Sequence, residues 1–181
     1  MNKFIFVLSF VAIAQCALPD SAYSLGWGGI SDTCSGITVG RTDDKEVVAR
    51  LGGGLFVGKE GAFGGRYYIA PDGAMTLHLV TGTDAVVWEL TLTRGIALPS
   101  GCKPVKAILP INLLEAGIRL GDSPQRVTAL LGKPSKDKSV KGNRTLEFYN
   151  YRNAPADEAG NSATFSFING RLVKVRLYCG D

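Results

Sequence analysis

The sequence predicts an α+β fold of two tandem αβββ modules, each an antiparallel sheet with a short helix packed on one face. Three observations lead there: the two halves of the chain resemble each other in order, each half opens on a one-faced helical pattern, and each helix is followed by three strand-like segments.

The chain starts with one cation, Lys3, then an apolar run from Phe4 to Ala14, then small residues. That is the order of a cleavable secretion signal, and the run is too short to span a bilayer as a helix. Residues 1–17 are read as this signal, which makes the mature protein periplasmic or secreted. Cys16 stands where a lipid-bearing cysteine would, but Gln15 precedes it where such a signal needs a small side chain, so a lipid anchor is not expected.

Residues 18–94 form the first module. Gly36-Ile37-Thr38-Val39-Gly40 leads to a helix whose apolar stripe is Val47, Val48 and Leu51. Thr42 is placed to cap it, Asp43 and Asp44 suit its positive start, and Gly52 suits its left-handed end. Gly52, Gly53, Gly54, Gly58, Gly61, Gly64 and Gly65 then predict a mobile loop. Gly53 to Lys59 has the outline of a phosphate loop, but Glu60 stands where Ser or Thr must hold magnesium. Strands are expected at Arg66 to Ala70, Met75 to Val80 and Val86 to Thr93, with turns at Pro71-Asp72-Gly73 and near Gly82.

Residues 95–110, rich in Gly and Pro, read as an extended connector. The second module, 111–181, has room for a short extra helix at Ile111 to Ala116 and then repeats the pattern. Gly117-Ile118-Arg119-Leu120-Gly121 matches the first glycine motif; Ser123 caps, Pro124 takes the first helical position, and Val127, Leu130 and Leu131 form the stripe before Gly132 and Pro134. Strands follow at Thr145 to Tyr151, Ala163 to Ile168 and Leu172 to Tyr178, the last two joined by the hairpin dipeptide Asn169-Gly170. Thr76 to Gly82 lies over Thr164 to Gly170 without a gap.

Charge is uneven. From Ala17 to Arg94 six Lys/Arg face nine Asp/Glu, whereas residues 95–181 carry thirteen against seven. Lys133, Lys136, Lys138, Lys141 and Arg144 concentrate the excess in a stretch read as a solvated loop. It lacks the interleaved aromatics of a nucleic-acid surface, so no nucleic acid is expected. Membrane contact is expected only through this basic loop or through an anchor on Cys16.

Cys34, Cys102 and Cys179 are an odd number of cysteines for an oxidising compartment, which predicts one disulfide and one thiol, with Cys102–Cys179 as first choice because the connector is expected to pass near the second sheet. With His78 the single histidine, the usual hydrolase triads and Cys/His zinc sites lack their parts. No metal, cofactor or catalytic residue is expected.

Strand alternation supplies a surface instead. With Phe165, Phe167, Val173, Val175 and Leu177 turned to the helix, the opposite face shows Glu147, Tyr149, Tyr151, Ser166, Lys174, Arg176 and Tyr178. Tyrosines beside cations are typical of binding hot spots, so Glu147, Tyr149, Tyr151, Lys174, Arg176 and Tyr178 are the expected protein-binding residues. The first module's equivalent face would carry Thr76, His78, Glu89 and Thr91.

The run Gly121 through Leu131-Gly132-Lys133-Pro134, with Phe167-Ile168-Asn169-Gly170-Arg171-Leu172-Val173, resembles the SmpA/OmlA (BamE-like) module of bacterial envelope proteins. Two such modules behind an export signal are similar to the β-lactamase inhibitory proteins. Where the BamE-like motif has methionine after its glycine, this chain has Arg41 and Asp122. The resemblance implies a fold and an inhibitor-like role. The functional expectation is a non-enzymatic exported protein that binds an extracytoplasmic protein through its open sheet face. An envelope-assembly component and a cell-wall hydrolase are the alternatives.

Overall fold

The computed structural model describes residues 33–58, 64–103, 117–149 and 161–180. The expected export signal, the expected helix at Ile111 to Ala116 and Tyr151 lie outside them. Ten strands and two helices follow one another as β1 (Thr33–Cys34), β2 (Ile37–Thr38), α1 (Asp44–Leu51), β3 (Leu55–Gly58), β4 (Gly64–Ile69), β5 (Met75–Thr81), β6 (Val87–Arg94), α2 (Pro124–Leu131), β7 (Lys136–Val140), β8 (Asn143–Tyr149), β9 (Ser162–Ile168) and β10 (Arg171–Tyr178).

The α+β class stands, as a mostly antiparallel sheet with two short helices. Its finer form differs from expectation: each helix is followed by four strands, not three. β3 occupies part of the expected mobile loop, and β7 takes up the basic stretch expected as a solvated loop. Nor does each half keep its own sheet. Eight strands form one sheet in the order β3-β4-β5-β6-β10-β9-β8-β7, while β1 and β2 pair separately. The order is symmetric about the β6–β10 junction, where Leu90 faces Leu177 and Leu92 faces Val175.

Both helices start and stop for similar reasons. Asp43 and Ser123 each extend into the cap position and accept the amide hydrogen three residues on, from Glu46 and Arg126. The expected cap Thr42 instead accepts the N–H of Thr38 at 2.9 Å, which holds it in the β2 turn. At the far ends Gly52 and Gly132 have φ of 81° and 82°, a region costly to other residues, and their amides close on Val48 and Thr128. Both ends of α1 are also tied to the sheet: at the last turn Tyr68 donates its hydroxyl to the Gly52 carbonyl and Arg66 bonds the Gly53 carbonyl, and at the first turn Arg66 clamps the Asp44 carboxylate with two N–H groups.

One apolar cluster fills the space beneath the helices. It runs from Tyr68, Leu77, Leu79, Leu90 and Leu92 through Val175 and Leu177 to Phe165, Phe167, Leu146 and Phe148, with Val47, Val127 and Leu131 from the helices. Phe148 meets Phe165 edge to face at 5.6 Å between ring centres. Val173, expected in this layer, is not there. A bulge between Leu172 and Lys174 puts Leu172 into the core at 0 % exposure and turns Val173 to the other face. Among the described residues no helix is long and apolar enough to cross a membrane.

The expected disulfide is absent among the described residues: none of Cys34, Cys102 and Cys179 is disulfide-bonded. Cys34 is buried in the helix-side core, where burial raises its thiol pKa. Cys179 follows β10 against Gly40, also on the helix side. The connector runs elsewhere: Thr76 on the outward face of β5 donates to the Gly95 carbonyl and accepts from the Ala97 amide. Cys102 accordingly lies near enough to Tyr67, on β4, for its charge to raise the tyrosine pKa. Cys179 packs from the helix side while the connector that leads to Cys102 turns over the outward face, and no disulfide joins the two.

Candidate functional site

The registers align the outward side chains into rows that cross the sheet. One row reads Tyr67, His78, Thr91, Arg176, Thr164, Glu147 and Lys136; the next towards the β8 C-terminus reads Val80, Glu89, Tyr178, Ser162 and Tyr149; a third reads Ile69, Thr76, Thr93, Lys174, Ser166, Thr145 and Lys138. The expected binding residues Glu147, Tyr149, Lys174, Arg176 and Tyr178 all lie on this face. They form two ridges on β8 and β10, separated by β9. At about 4.8 Å per strand the ridges stand about 10 Å apart, and the floor between them is Ser162, Thr164 and Ser166.

The β10 ridge is held by a partner from the other half of the chain. Arg176 donates to Glu89 Oε2 at 2.6 Å, and Thr91 donates to Glu89 Oε1 at 3.0 Å. The Arg176 guanidinium also lies 5.5 Å from the Tyr178 ring centre. Burial pushes the Glu89 carboxyl pKa up. The hydrogen bond and charge of Arg176, the Thr91 hydroxyl and the charge of His78 outweigh it and hold Glu89 below the ordinary value. Arg176 is raised in turn, chiefly by its bond to Glu89. Tyr178 remains 37 % exposed, a large ring offered to solvent.

On the β8 ridge Tyr149 donates its hydroxyl to Glu147 Oε2. Lys136 reaches the same hydroxyl at 3.2 Å and lies 5.0 Å from the Tyr149 ring centre. Lys138 stands 3.5 Å from Glu147. The Tyr149 hydroxyl above all, helped by Lys138 and Lys136, keeps the Glu147 pKa low against the raising effect of burial. Lys136 and Lys138 were missed as site residues because a sequence with no apolar alternation reads as loop; only their pairing to β8 brings them here.

The first half's face is less open. Ile69 points outward yet is only 2 % exposed and stands outside the helix-side core, consistent with the connector at Gly95 to Ala97 folding back over neighbouring Thr76. His78 stacks on Tyr67 with ring centres 4.0 Å apart and planes 10° from parallel. Burial lowers its pKa; Glu89 opposes this and Lys174 adds to it. A second bulge, between Val80 and Thr81, leaves Trp88 as an extra residue of β6. With Val80, Asp84 and Tyr178, Trp88 lines a hollow of about 610 Å³ at the end of the Tyr178 row. Its indole N–H donates to Asp84 at 2.9 Å. Two aromatic rings there extend the β10 ridge, and the bulge that aims Trp88 leaves no mark in the sequence pattern.

Among the described residues no group of three His, Cys, Asp or Glu side chains is placed to hold a metal ion. What the face offers is aromatic surface, paired charges and a hydroxyl-lined floor.

No protein-family model and no curated protein matches the chain. Two solved structures are similar to it. A DUF4309 family protein (YjgB) from Bacillus subtilis is 15 % identical with a TM-score of 0.48, over 84 % of this chain and 89 % of that one. A "putative beta-lactamase inhibitor protein" from Streptococcus mutans is 10 % identical with a TM-score of 0.26, over 75 % of this chain and 82 % of that one. The SmpA/OmlA resemblance finds no support among these matches.

Proposed function

We propose that this chain is a non-enzymatic, exported, inhibitor-like protein that binds another protein in the periplasm or outside the cell, using the outward sheet face of its second half. The observation that carries the reading is the pair of ridges, Glu147–Tyr149 and Arg176–Tyr178, either side of a floor of small hydroxyl residues. Each ridge couples an aromatic ring to a charge already fixed by a partner. Little side-chain entropy is then left to lose on binding. Tyr and Arg supply large contact area, and the Ser/Thr floor leaves space about one extended segment wide. Tyr151 belongs to the proposal through its place two residues beyond Tyr149, and Lys174 through its place two residues before Arg176.

The test is parallel affinity capture from envelope extracts with the natural chain and with a Tyr149→Ala/Arg176→Ala/Tyr178→Ala variant. One protein, identified by mass spectrometry, should be retained by the natural chain and lost by the variant while the variant's thermal midpoint is kept. Equal retention by both would overturn the face assignment.

A further inference from the structure

The opposite end of the same face has a different chemistry. β7–β8 and β9–β10 are adjacent hairpins whose turns take the left-handed pair of conformations: Lys141 and Gly142 at φ 47° and 81°, Asn169 and Gly170 at 49° and 73°. The Asn169 amide donates to the Gly142 carbonyl at 3.1 Å, which ties the two tips together. Just below the turns, Val140, Asn143, Ile168 and Arg171 fall in register. Val140 is 65 % exposed and Ile168 49 %, so two aliphatic side chains project from the end of the sheet on either side of Asn143, two strands and about 10 Å apart.

Cations surround them. Lys141 sits in the first turn, Arg171 follows the second and donates one N–H to the Gly121 carbonyl at 3.2 Å, and Lys174 stands in the next row. The hairpin from Ser162 to Tyr178 contains no carboxylate, and the acid of the other hairpin nearest this end, Asp137, is held by two hydrogen bonds from Arg144. Between the tips and β6 a hollow of about 530 Å³ is lined by Ile168, Phe167 and the bulged Val173, with Arg94 and Lys174 beside them. Among the described residues, the row that holds Val140 and Ile168 contains no aromatic side chain of the kind that anchors protein hot spots.

We infer that this end of the molecule is a docking edge for an anionic lipid bilayer: Val140 and Ile168 enter the headgroup boundary while Lys141, Arg171, Lys174 and Arg94 meet the lipid phosphates. Aliphatic tips ringed by cations match a negatively charged surface with an apolar layer beneath it, because neither signal alone holds a protein there. The bulge at Val173 adds apolar surface on the side that faces the bilayer. Tyr149 and Tyr178 of the protein-binding ridges lie about 20 Å from this edge at the ordinary rise per residue, while Lys174 stands on the border between the two.

Co-sedimentation with vesicles tests this on the full chain, comparing phosphatidylglycerol–phosphatidylcholine vesicles with phosphatidylcholine alone. The apolar N-terminal segment is common to every variant, so differences between variants report the tips. Binding should favour the anionic vesicles, weaken with added salt, and fall by about tenfold or more in both Val140→Asp/Ile168→Asp and Lys141→Glu/Arg171→Glu. A Tyr149→Ala/Tyr178→Ala control should bind as the natural chain does, which separates this edge from the protein-binding face. Circular dichroism shows that each variant is folded. Equal binding to both vesicle types, or full binding by the aliphatic variant, would overturn the inference. So would retention on immobilised polyglutamate without vesicle binding, which would make the edge a site for acidic protein.

Discussion

Leu172 and Val173 are neighbours of similar size that serve opposite faces of the sheet. Simple alternation places Val173 inward; the bulge in β10 reverses the two, and only pairing to β9 reveals it. Leu172→Ala should therefore cost about 2–5 kcal/mol of stability, as fully buried leucines do, whereas Val173→Ala should cost less than about 1 kcal/mol. Denaturant unfolding of both variants decides it, and equal losses would contradict the bulge. Past the bulge the parity read from the sequence holds: Val175 and Leu177 are buried while Lys174, Arg176 and Tyr178 face out, which is why those three site residues were legible. Titration gives a second check at this scale. Burial depresses His78 below its ordinary 6.5, so the unfolded chain takes up that proton first on acidification. Its contribution is complete above pH 6.5 and is lost as pH falls through the folded value. Glu89 is depressed below 4.5, so its contribution is complete above that pH and is lost as pH falls further. The thermal midpoint should thus decline in two stages below pH 6.5 and below pH 4.5. Since His78 is the chain's single histidine, His78→Gln should abolish the upper stage alone and Glu89→Gln should shrink the lower.

At the scale of elements, both helices and the six strands β4, β5, β6, β8, β9 and β10 follow from local signals: caps, glycine stops, alternating apolar residues and hairpin dipeptides. β3 and β7 do not. Leu55–Gly58 is hidden among glycines, and every residue of Lys136–Val140 is exposed, so neither carries the alternation that a half-buried strand shows. Both are sheet edges, where charge and glycine guard against pairing with other chains. The amides of β7 should exchange with deuterium sooner than those of β9 and β10, which are paired on both sides; equal protection would contradict an edge position. The caps separate expectation from structure as sharply. Ser123→Ala and Asp43→Ala should each cost about 1 kcal/mol. Thr42 acts through the turn at Thr38, so Asp43→Ala alone should lower α1 helicity.

For the whole molecule, the deciding feature is the β6–β10 junction, which joins the halves into one sheet over one core. Pairing between residues 87 apart, as Glu89 and Arg176 are, leaves no periodic trace, so the sequence could be read half by half but not across the join. The same join supplies Glu89 to Arg176 and so completes a ridge that the second half alone lacks. Unfolding followed by tryptophan fluorescence and by circular dichroism should give one coincident transition, against two if the halves were independent. Recognition is proposed to belong to the outward ridges. Its most direct measurement is calorimetric affinity of the captured partner for single variants at matched stability. Tyr149→Ala, Arg176→Ala and Tyr178→Ala should each weaken binding by about tenfold or more, roughly 1.4 kcal/mol, while the helix-side controls Lys45→Ala and Arg126→Ala leave it unchanged. Loss of affinity in the helix-side controls with full binding by the three ridge variants would contradict it.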